Sequence, residues 1–519
     1  MKKFSLFLFA AIMLVLSIPS RAQVQEGDTV TFWSVSYIDW PPLWGTPQRT
    51  VEAVCKKAGT HCYVFVEIVG TQPSQSAIDN LVSRFDNDFI PQLTARYGLV
   101  PDALDNDSAI YILSMDESNW GGYYDPANQM TESFVMTTWG KHSNEHEMIF
   151  IASDSFDWSA EEICAHELGH LIHWRGDHSP DPVVNPTLYW EEAWVDEGFS
   201  TFAAVYLTES FYAHNELDYS TFFCGDPDIP LIYFSDYNQA ELFMIFMYEH
   251  YGNWNYITQL LNNDLNGIDG VEATLDSLGY TESFDDAFEQ WCIANFIDDS
   301  VYAGGIYSYT HFRFNAAHVA TNHTVFPLST VNADVSAYGS DYVAFLSSTP
   351  KKLQVEFNGD PASKYRLAFI KIKTAGNQVM GVTPVALDAS NHATFLADSL
   401  GINYNKLIMV AMNVDSTIHE GDVATYSYSA SVITGLEEVA ESIEFTVFPN
   451  PGSTEIRFAL AENILSSTAE VYDISGKVVL TTNANAGKNR IDISSLAPGL
   501  YALRVSNGNR SGSVRFVKN

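Results

Sequence analysis

The chain has 519 residues, with 64 acidic and 26 basic side chains, so its formal net charge is −38. Hydrophobic residues make up 46% of it and charged residues 17%, a composition that supports packed cores and excludes an intrinsically disordered protein. A surface this acidic repels a phosphate backbone and an anionic membrane, which excludes nucleic acids as partners. A chain of this length is expected to form two to four domains.

The N-terminus has the pattern of a secretory signal peptide over residues 1–22. Lys2 and Lys3 give the positive start, Phe4–Ile18 the apolar stretch, and Ser20–Ala22 the small-residue cleavage site. No later apolar run reaches the roughly 18 residues that a membrane-spanning helix requires. We therefore expect an exported protein without a transmembrane segment.

Five cysteines in an exported chain allow two disulfides and leave one cysteine over. Cys55 and Cys62 are close in sequence, and we predict a short bridge between them. The partners of Cys164, Cys224 and Cys292 cannot be assigned from the sequence.

Charge and hydrophobic pattern divide the chain after the signal peptide. Residues 23–325 mix short apolar strands with helical stretches and predict a mixed α/β domain. Residues 326–434 predict an antiparallel β-sandwich, and residues 435–444 a linker at which the chain changes from strongly acidic to slightly basic. Residues 445–519 predict a small C-terminal β-sandwich, so the expected fold class is α+β.

The larger sandwich is predicted from four runs that we interpret as strands, in which successive side chains point to alternate faces. Asn, Asp and Gly residues separate these runs, as is typical of antiparallel strands joined by turns. The runs are Tyr342–Leu346, Lys352–Phe357, Arg366–Ile372 and Leu407–Met412.

The clearest chemical motif is HExxH at residues 166–170, inside a helical pattern. Residues i and i+4 of a helix lie about 6 Å apart along its axis and roughly 40° apart around it, so His166 and His170 can bind one metal ion. Glu167 is then placed to take a proton from a water molecule. The alternative is a helix with two surface histidines, but apolar residues such as Leu168 surround this pair, and buried imidazoles need a partner.

A catalytic zinc site needs a third protein ligand. His173 lies about 10.5 Å along the helix from His166, too far for one ion to reach both together with the intervening histidine. Cys164 lies about 200° around the helix from His166 and faces away. The residues alone leave two candidates in a second helical segment, Glu192 and Glu197.

The motif followed by Trp194–Ser200 resembles the gluzincin metallopeptidases. Their pattern is HExxH plus Trp-x-Asn/Asp-Glu-Gly-Phe/Leu-Ala/Ser, in which the Glu is the third ligand of Zn²⁺. The resemblance implies that Glu197 has this role. Glu192 with Asp196 also fits the Glu-x-x-x-Asp form of thermolysin-like enzymes, so Glu192 stays an alternative.

The spacing departs from the aminopeptidase branch of these enzymes, because 26 residues separate His170 from Glu197. We assign the excess to a loop through Arg175–Thr187, which is rich in Pro, Asp and Asn.

Within this clan the chain is most similar to hyicolysin-type peptidases, over most of residues 50–300. The likeness implies a zincin-like catalytic domain, and it lies in short segments that keep their order. These are Gly59–Glu67, Phe85–Asp88, Gly121–Tyr124, Ser143–Glu145 and Phe284–Trp291, followed by Ala294–Asn295. The Gly-x-Met-x-Asn segment that binds a substrate amine in aminopeptidases is absent, which favours an endopeptidase.

Peptide hydrolysis needs a hydrogen-bond donor for the developing oxyanion. In gluzincins a Tyr or His supplies it, and Tyr237 stands where the aminopeptidase tyrosine would. His178, His214 and His250 are rivals, and Tyr237 as one of 27 tyrosines could equally be a core or surface residue.

Two acidic clusters, Asp86–Asp88 and Asp102–Asp107, could bind Ca²⁺ through oxygen ligands. Neither has EF-hand spacing, and solvated turns are the alternative.

The C-terminal segment resembles the type IX secretion (Por) sorting domain of Bacteroidetes. The resemblance rests on Phe445–Gly452, Val471–Lys477, Leu496–Tyr501 and Val514–Lys518. It implies export through the periplasm of a Gram-negative bacterium, with the type IX machinery as a partner and a secreted or cell-surface product. A small β adhesive module is the alternative.

Together these features predict a secreted zinc metallopeptidase that hydrolyses peptide bonds in extracellular proteins, with an endopeptidase favoured. An aminopeptidase-like exopeptidase is one alternative. A non-enzymatic surface binding protein with a relic metal site is the other.

Overall fold

A computed structural model describes most of the chain, which forms two compact units, Met1–Val432 and Ile433–Asn519. The predicted signal peptide lies outside the described residues, as do His178, His214 and most of the predicted linker. The described residues are 24–35, 47–97, 104–105, 107–117, 121–177, 191–208, 223–310, 317–433, 441–461, 467–507 and 510–519.

The first unit begins with a mixed six-stranded sheet in the order β1-β2-β3-β4-β6-β5. Its strands are β1 (Thr29–Val35), β2 (Gln48–Ala58), β3 (Cys62–Glu67), β4 (Ile110–Met115), β5 (Gly122–Tyr123) and β6 (Met148–Ala152). The central strands β3, β4 and β6 are parallel, and every residue in them is buried. This is the pattern of strands covered on both faces. The edge strand β5 pairs antiparallel with β6.

Helices cover one face of this sheet and continue beyond it as a helical layer. They are α1 (Gln75–Arg84), α2 (Ile90–Tyr97), α3 (Glu132–Trp139), α4 (Phe156–Asp177), α5 (Ala193–Leu207), α6 (Tyr237–His250), α7 (Trp254–Leu260), α8 (Gly267–Leu278) and α9 (Phe284–Ile297). A π-helical turn, Phe85–Phe89, joins α1 to α2. One large apolar core holds this face of the sheet together with α4, α5, α6 and α9. In the described part of the chain, no helix is both long and apolar enough to cross a membrane.

The rest of the first unit consists of two facing sheets that share an apolar core. Their orders are β13-β10-β15-β8 and β12-β11-β14-β9-β7, and the pairs are antiparallel except for β7 with β9. The strands are β7 (Thr321–His323), β8 (Leu328–Ser336), β9 (Ser340–Leu346), β10 (Lys351–Gly359), β11 (Tyr365–Lys373), β12 (Gln378–Val385), β13 (His392–Leu400), β14 (Lys406–Asn413) and β15 (Val423–Val432). The observed architecture is a mixed α+β one, in agreement with the predicted fold class.

The run Leu407–Met412, predicted to be an alternating strand, is apolar at every position, and its place in β14 explains why. Its odd-numbered residues from Leu407 to Ala411 lie in the sandwich core. Its even-numbered residues from Ile408 to Met412 lie in the large core that contains the helices. Both faces of this strand are therefore buried, one by each layer.

The sandwich packs directly on α9. Tyr342 donates a hydrogen bond of 2.6 Å to the carbonyl oxygen of Cys292, and its ring stacks on Phe296 with 5.4 Å between centroids. Arg366 of the sandwich lies 2.9 Å from a carboxylate oxygen of Asp286. The helical layer and the sandwich thus belong to one compact unit.

The second unit is built from two sheets around its own core. The orders are β16-β23-β22-β19-β20 and β17-β18-β21. The strands are β16 (Glu441–Ser442), β17 (Val447–Phe448), β18 (Glu455–Leu460), β19 (Ser467–Tyr472), β20 (Val478–Ala484), β21 (Gly487–Asp492), β22 (Gly499–Ser506) and β23 (Arg510–Lys518). The turn between β19 and β20 is closed by Asp473, which accepts hydrogen bonds from the backbone of Ser475 and Lys477, while Gly476 takes the left-handed conformation at φ +83°.

The predicted Cys55–Cys62 disulfide is wrong. Both thiols are free and buried, and they belong to different apolar clusters on opposite faces of the sheet. Cys55 faces Phe65 across the β2–β3 hairpin, so sequence proximity did not bring the two sulfurs together. Burial raises the pKa of Cys55 to about 11, which keeps its thiol protonated.

Asp228 lies where the helical layer meets the sandwich. Its carboxylate accepts a hydrogen bond of 2.7 Å from the backbone N–H of Ser336. Burial raises the pKa of Asp228 to about 7, against the effect of that N–H, and Asp341, Asp226 and Asp334 raise it further. The folded protein therefore binds a proton at Asp228 more tightly than the unfolded chain, whose Asp pKa is about 3.9.

A raised folded pKa gives stability that is complete below about pH 4 and is lost as the pH rises through about 7. Asp228→Asn keeps the acceptor oxygen and has no proton to lose. Its free energy of unfolding relative to that of the wild type should therefore increase from pH 5 to pH 8. We expect a gain on the order of 2 kcal/mol. Thermal unfolding of the full chain at both pH values measures it, with Asp264→Asn as an exposed control. A difference between variant and wild type that is the same at pH 5 and pH 8 contradicts the prediction.

Candidate metal centre

Helix α5 approaches α4 and α6 closely because a glycine stands at each of the two contacts. A Cβ atom on Gly169 of α4 would lie 2.7 Å from the Cα of Ser200 on α5. A Cβ atom on Gly198 of α5 would lie 2.9 Å from the carbonyl oxygen of Ala240 on α6. Any side chain at either position would push the helices apart, so the small residues set the spacing of this layer.

Three side chains converge between α4 and α5. His166 and His170 approach through their Nε2 atoms, which are 3.1 Å apart. The Oε2 atom of Glu197 lies 3.2 Å from Nε2 of His166 and 3.4 Å from Nε2 of His170. Among the described residues, three or more potential metal-ligating groups converge only here. The residues that the sequence singled out on two separate helices thus form one cluster.

The donor set and its spacing fit a zinc ion. Ligands at about 2.0–2.1 Å from a tetrahedral zinc ion lie about 3.3–3.4 Å from one another, close to the three separations measured here. Two histidines and one glutamate form a known donor set of catalytic zinc sites, in which the fourth position is kept for water or substrate. Oε2 of Glu197 is buried and accepts no hydrogen bond of normal geometry from the described residues. Such a buried oxygen needs a partner, which a cation would supply.

Asp196 fixes the orientation of two imidazole rings. One of its carboxylate oxygens lies 2.9 Å from Nδ1 of His170, and the other lies 2.8 Å from Nδ1 of His173. When Nδ1 of His170 donates to this carboxylate, the lone pair on Nε2 faces the cluster and can bind a metal. Thr201 lies near the other ligand histidine, with its Oγ1 3.4 Å from Nδ1 of His166.

Sequence reasoning missed the part that Asp196 plays. The signal was present in the three-residue spacing of His170 and His173, which places both rings on one side of α4. His173 is 1% exposed and stands outside the cluster, as predicted from its distance along the helix.

The carboxylates of Glu197 and Asp196 favour a positive charge on the groups between them. Burial raises the pKa of Glu197, but His170 and His166 outweigh it and bring the pKa down to about 2. Asp196 follows the same pattern, with a pKa well below its usual range because of His170 and His173. Burial lowers the pKa of His170, yet Asp196 and Glu197 raise it well above its ordinary value. The raised pKa of His170 shows that a positive charge is favoured beside these carboxylates, and a divalent cation could supply it.

Glu167 lies between α4 and the edge strand β5. It is buried, and its Cγ atom lies 3.4 Å from the point where a Cβ on Gly122 would stand. Burial raises the pKa of Glu167, and the neighbouring Glu197 and Asp196 raise it further, while His166 and His170 lower it. A carboxyl with a raised pKa can both take and return a proton near neutral pH.

Tyr237 is the first residue of α6 and stands beside the cluster. Its ring centroid is 6.0 Å from that of His166, and 45% of its surface is exposed. Burial and the carboxylates of Glu197 and Glu167 raise the pKa of Tyr237, so the phenol keeps its proton and can donate it in a hydrogen bond. His250, a rival for this role, instead contacts the carbonyl oxygen of Ser308 through Nε2, at 2.9 Å.

Glu192, the alternative third ligand, points elsewhere. Its carboxylate accepts a hydrogen bond of 2.7 Å from the indole of Trp194 and lies against Gly267 on α8. Cys164 is fully buried in the large core, in agreement with the prediction that it faces away from the cluster.

The acidic residues considered for calcium have protein partners wherever they are described. Asp86 accepts from the backbone N–H groups of Thr60 and His61. The other pairs are Asp88 with Arg84 at 2.6 Å, Asp105 with His146 at 2.6 Å and Asp107 with Tyr63 at 3.0 Å. Asp102 lies outside the described residues.

Solved structures resemble parts of this chain only weakly. The pre-peptidase C-terminal domain of a Bacillus anthracis collagenase is 12% identical over 22% of this chain and 100% of its own, with a TM-score of 0.16. The BSP domain of a biofilm associated protein is 11% identical over 37% of this chain and 51% of its own, with a TM-score of 0.14. PorZ, a surface component of the type IX secretion system of Porphyromonas gingivalis, is 14% identical over 29% of this chain and 22% of its own, with a TM-score of 0.12. Similarities this weak carry no argument about fold or function.

A family comparison does match the second unit. No curated protein matches the chain. The model of the secretion system C-terminal sorting domain matches residues 446–519, which include β17 to β23. Residues 446–519 therefore belong to the C-terminal sorting domain family of the type IX secretion system. The chain is a secreted or cell-surface protein that the type IX secretion system exports.

Proposed function

We propose that this protein is a zinc-dependent endopeptidase that hydrolyses peptide bonds in extracellular proteins. The observation that carries the proposal is the convergence of His166, His170 and Glu197, with Nε2 and Oε2 atoms 3.1–3.4 Å apart. Glu167 interacts electrostatically with His166 and His170, and the ring of Tyr237 lies 6.0 Å from that of His166, so both are suited to acid–base and oxyanion chemistry at this cluster. The resemblance of both motifs to gluzincin metallopeptidases supports the same assignment.

In the proposed reaction Glu167 moves the proton. A zinc ion held by the three ligands would act as a Lewis acid that polarises the scissile carbonyl and makes a water molecule more acidic. The Glu167 carboxylate takes a proton from the attacking water and then gives it to the leaving amine. Burial raises the pKa of Glu167, which makes its carboxylate a stronger base toward the water proton.

Tyr237 is assigned to the developing oxyanion. Its phenol keeps its proton, and its ring lies beside His166 with 45% of its surface exposed to solvent. A hydrogen bond from this group would strengthen as negative charge builds on the carbonyl oxygen, and such a bond lowers the barrier to reaction.

The edge strand β5 offers a place for the substrate backbone. It is the outermost strand in the sheet order, and Gly122 within it lies against Glu167. An extended peptide can add to such an edge through main-chain hydrogen bonds, which do not depend on a free N-terminal amine. This mode of binding favours cleavage within a polypeptide over removal of its first residue.

Glu167→Gln removes the proton carrier and leaves the three proposed ligands in place. We expect zinc to remain bound at the wild-type level while kcat for casein or a fluorogenic peptide falls by about 10²–10⁴-fold. The matched control is Glu162→Gln on an exposed position of the same helix, which should keep wild-type activity. Native turnover by the Glu167→Gln enzyme would disprove the assigned role.

The identity of the third ligand is tested by comparing substitutions of Glu197 and Glu192. Glu197→Gln should weaken zinc binding by at least about 100-fold, more than the loss of an outer hydrogen-bond partner usually causes. Glu192→Gln should retain the metal, since that side chain contacts Trp194 and Gly267 instead. Metal content after dialysis against a weak chelator measures both. Loss of zinc from the Glu192 variant alone would reverse the assignment.

Blocking the substrate amine separates the endopeptidase from an exopeptidase. A peptide and its N-acetylated form should be cleaved with similar kcat/KM, because β5 would bind the backbone and none of the residues proposed for the site would bind the amine. The measurement is product analysis by mass spectrometry with the two substrates in parallel. Cleavage restricted to the unblocked peptide, one residue at a time, would support the aminopeptidase-like alternative.

A further inference from the structure

We propose that the β-sandwich positions Tyr237, and that Tyr233 and Phe234 are the positioning residues through which it acts. The inference rests on the proposed function, because it gives the sandwich a part in holding the oxyanion donor of that reaction. It concerns the segment Cys224–Asp236, which leads into α6 and is called the strap below.

The first half of the strap is fastened to the β8–β9 turn of the sandwich. The carbonyl oxygen of Pro227 accepts a hydrogen bond of 3.2 Å from the backbone N–H of Ser340. Asp228 accepts from the backbone N–H of Ser336 at 2.7 Å. These bonds join the strap to both ends of a turn between two strands, which is a rigid support.

The second half of the strap has two further attachments. The backbone N–H of Leu231 donates to the carbonyl oxygen of Tyr338 at 3.2 Å. The hydroxyl of Tyr233 donates to the carbonyl oxygen of Ile418, in the β14–β15 connection of the sandwich. The strap is thus held by two separate sandwich loops, on either side of residue 232.

Phe234 passes this restraint to Tyr237. Its backbone takes the left-handed conformation at φ +45°, which a residue other than glycine adopts only when its surroundings hold it there. Its ring meets the ring of Tyr237 edge-on, with 4.9 Å between centroids and planes at 89°. The ring of Tyr237 therefore rests on a residue whose conformation the fastened strap determines.

The strap also sets the start of α6. Asp236 caps this helix by accepting a hydrogen bond of 2.9 Å from the backbone N–H of Gln239. The side chain of Gln239 donates in turn to the carbonyl oxygen of Ile229, at 2.8 Å. Both the first turn of α6 and the Tyr237 side chain are thereby tied to the strap.

Tyr237 needs such support because its side chain is only partly buried. With 45% of its surface exposed, it would lose alignment readily without a neighbouring ring against it. A hydrogen-bond donor for an oxyanion must be held to within about 0.5 Å to be effective. The sandwich acts on the reaction at a distance, through the strap and Phe234.

Tyr233→Phe tests the inference by removing one hydroxyl from the strap. We expect kcat to fall about tenfold, part of the 10²–10³-fold effect typical of losing an oxyanion donor, with KM and zinc content unchanged. The matched control is Tyr365→Phe, which removes a tyrosine bond of 2.7 Å to the carbonyl oxygen of Thr425 inside the sandwich. That control should keep the wild-type kcat.

A double variant shows whether Tyr233 acts through Tyr237. Adding Tyr233→Phe to Tyr237→Phe should cause no further loss of kcat, because the group being positioned is already absent. A full additional tenfold loss, or equal kcat values for Tyr233→Phe and Tyr365→Phe, would overturn the inference. If Tyr233→Phe does not fold, Phe234→Leu replaces it, because that change removes the ring that contacts Tyr237. The same loss of kcat alone and the same absence of a further loss with Tyr237→Phe are then expected.

A readout without activity keeps this test separate from the proposed function. With 3-fluorotyrosine incorporated at position 237, the ¹⁹F resonance of the full-length protein should shift or broaden in Tyr233→Phe and stay unchanged in Tyr365→Phe. A wild-type protein with bound zinc that cleaves no peptide would disprove the proposed function alone. An unchanged ¹⁹F resonance in Tyr233→Phe would disprove the positioning alone.

Discussion

The close contact between α4 and α5 is the constraint on which the candidate site depends. The two histidines share one helix, and their four-residue spacing brings them together wherever that helix lies. Glu197 comes from a different helix and reaches them only because Gly169 admits the backbone of Ser200. Gly198 repeats the arrangement toward α6, the helix that begins with Tyr237. Two glycines thus set the distances among the groups proposed to bind metal, move a proton and stabilise an oxyanion.

Electrostatics give this packing its chemical character. Glu197 is a buried carboxylate and Asp196 a partly buried one, which is unfavourable unless a positive charge lies beside them. The raised pKa of His170 shows that these carboxylates favour a positive charge beside them, which a divalent cation could also provide. Asp196 has a second part, because its two oxygens hold the rings of His170 and His173 together. The same interaction therefore orients a proposed ligand and ties α4 to the start of α5.

The sequence predicted what depends on local spacing and less of what depends on tertiary contacts. The HExxH spacing placed His166 and His170 together, and the motif resemblance selected Glu197, which joins them in the structure. The Cys55–Cys62 bridge was wrong because strand alternation, not sequence distance, decides which face a side chain takes. The bridging by Asp196 was not predicted, because it depends on a tertiary contact between α5 and two histidines of α4.

The relation of the sandwich to the helices was also beyond the sequence. The run Leu407–Met412 was read as one alternating strand, yet it is buried on both faces, by the sandwich and by the helical layer. A strand shared in this way makes the helical layer and the sandwich one unit, and the sandwich begins with β7 at Thr321 rather than after the predicted boundary at residue 325. The strap that precedes Tyr237 is held by residues more than 100 positions later in the chain. The proposed oxyanion donor therefore depends on contacts with the sandwich, whereas the His166–His170–Glu197 cluster depends on the packing of α4 against α5.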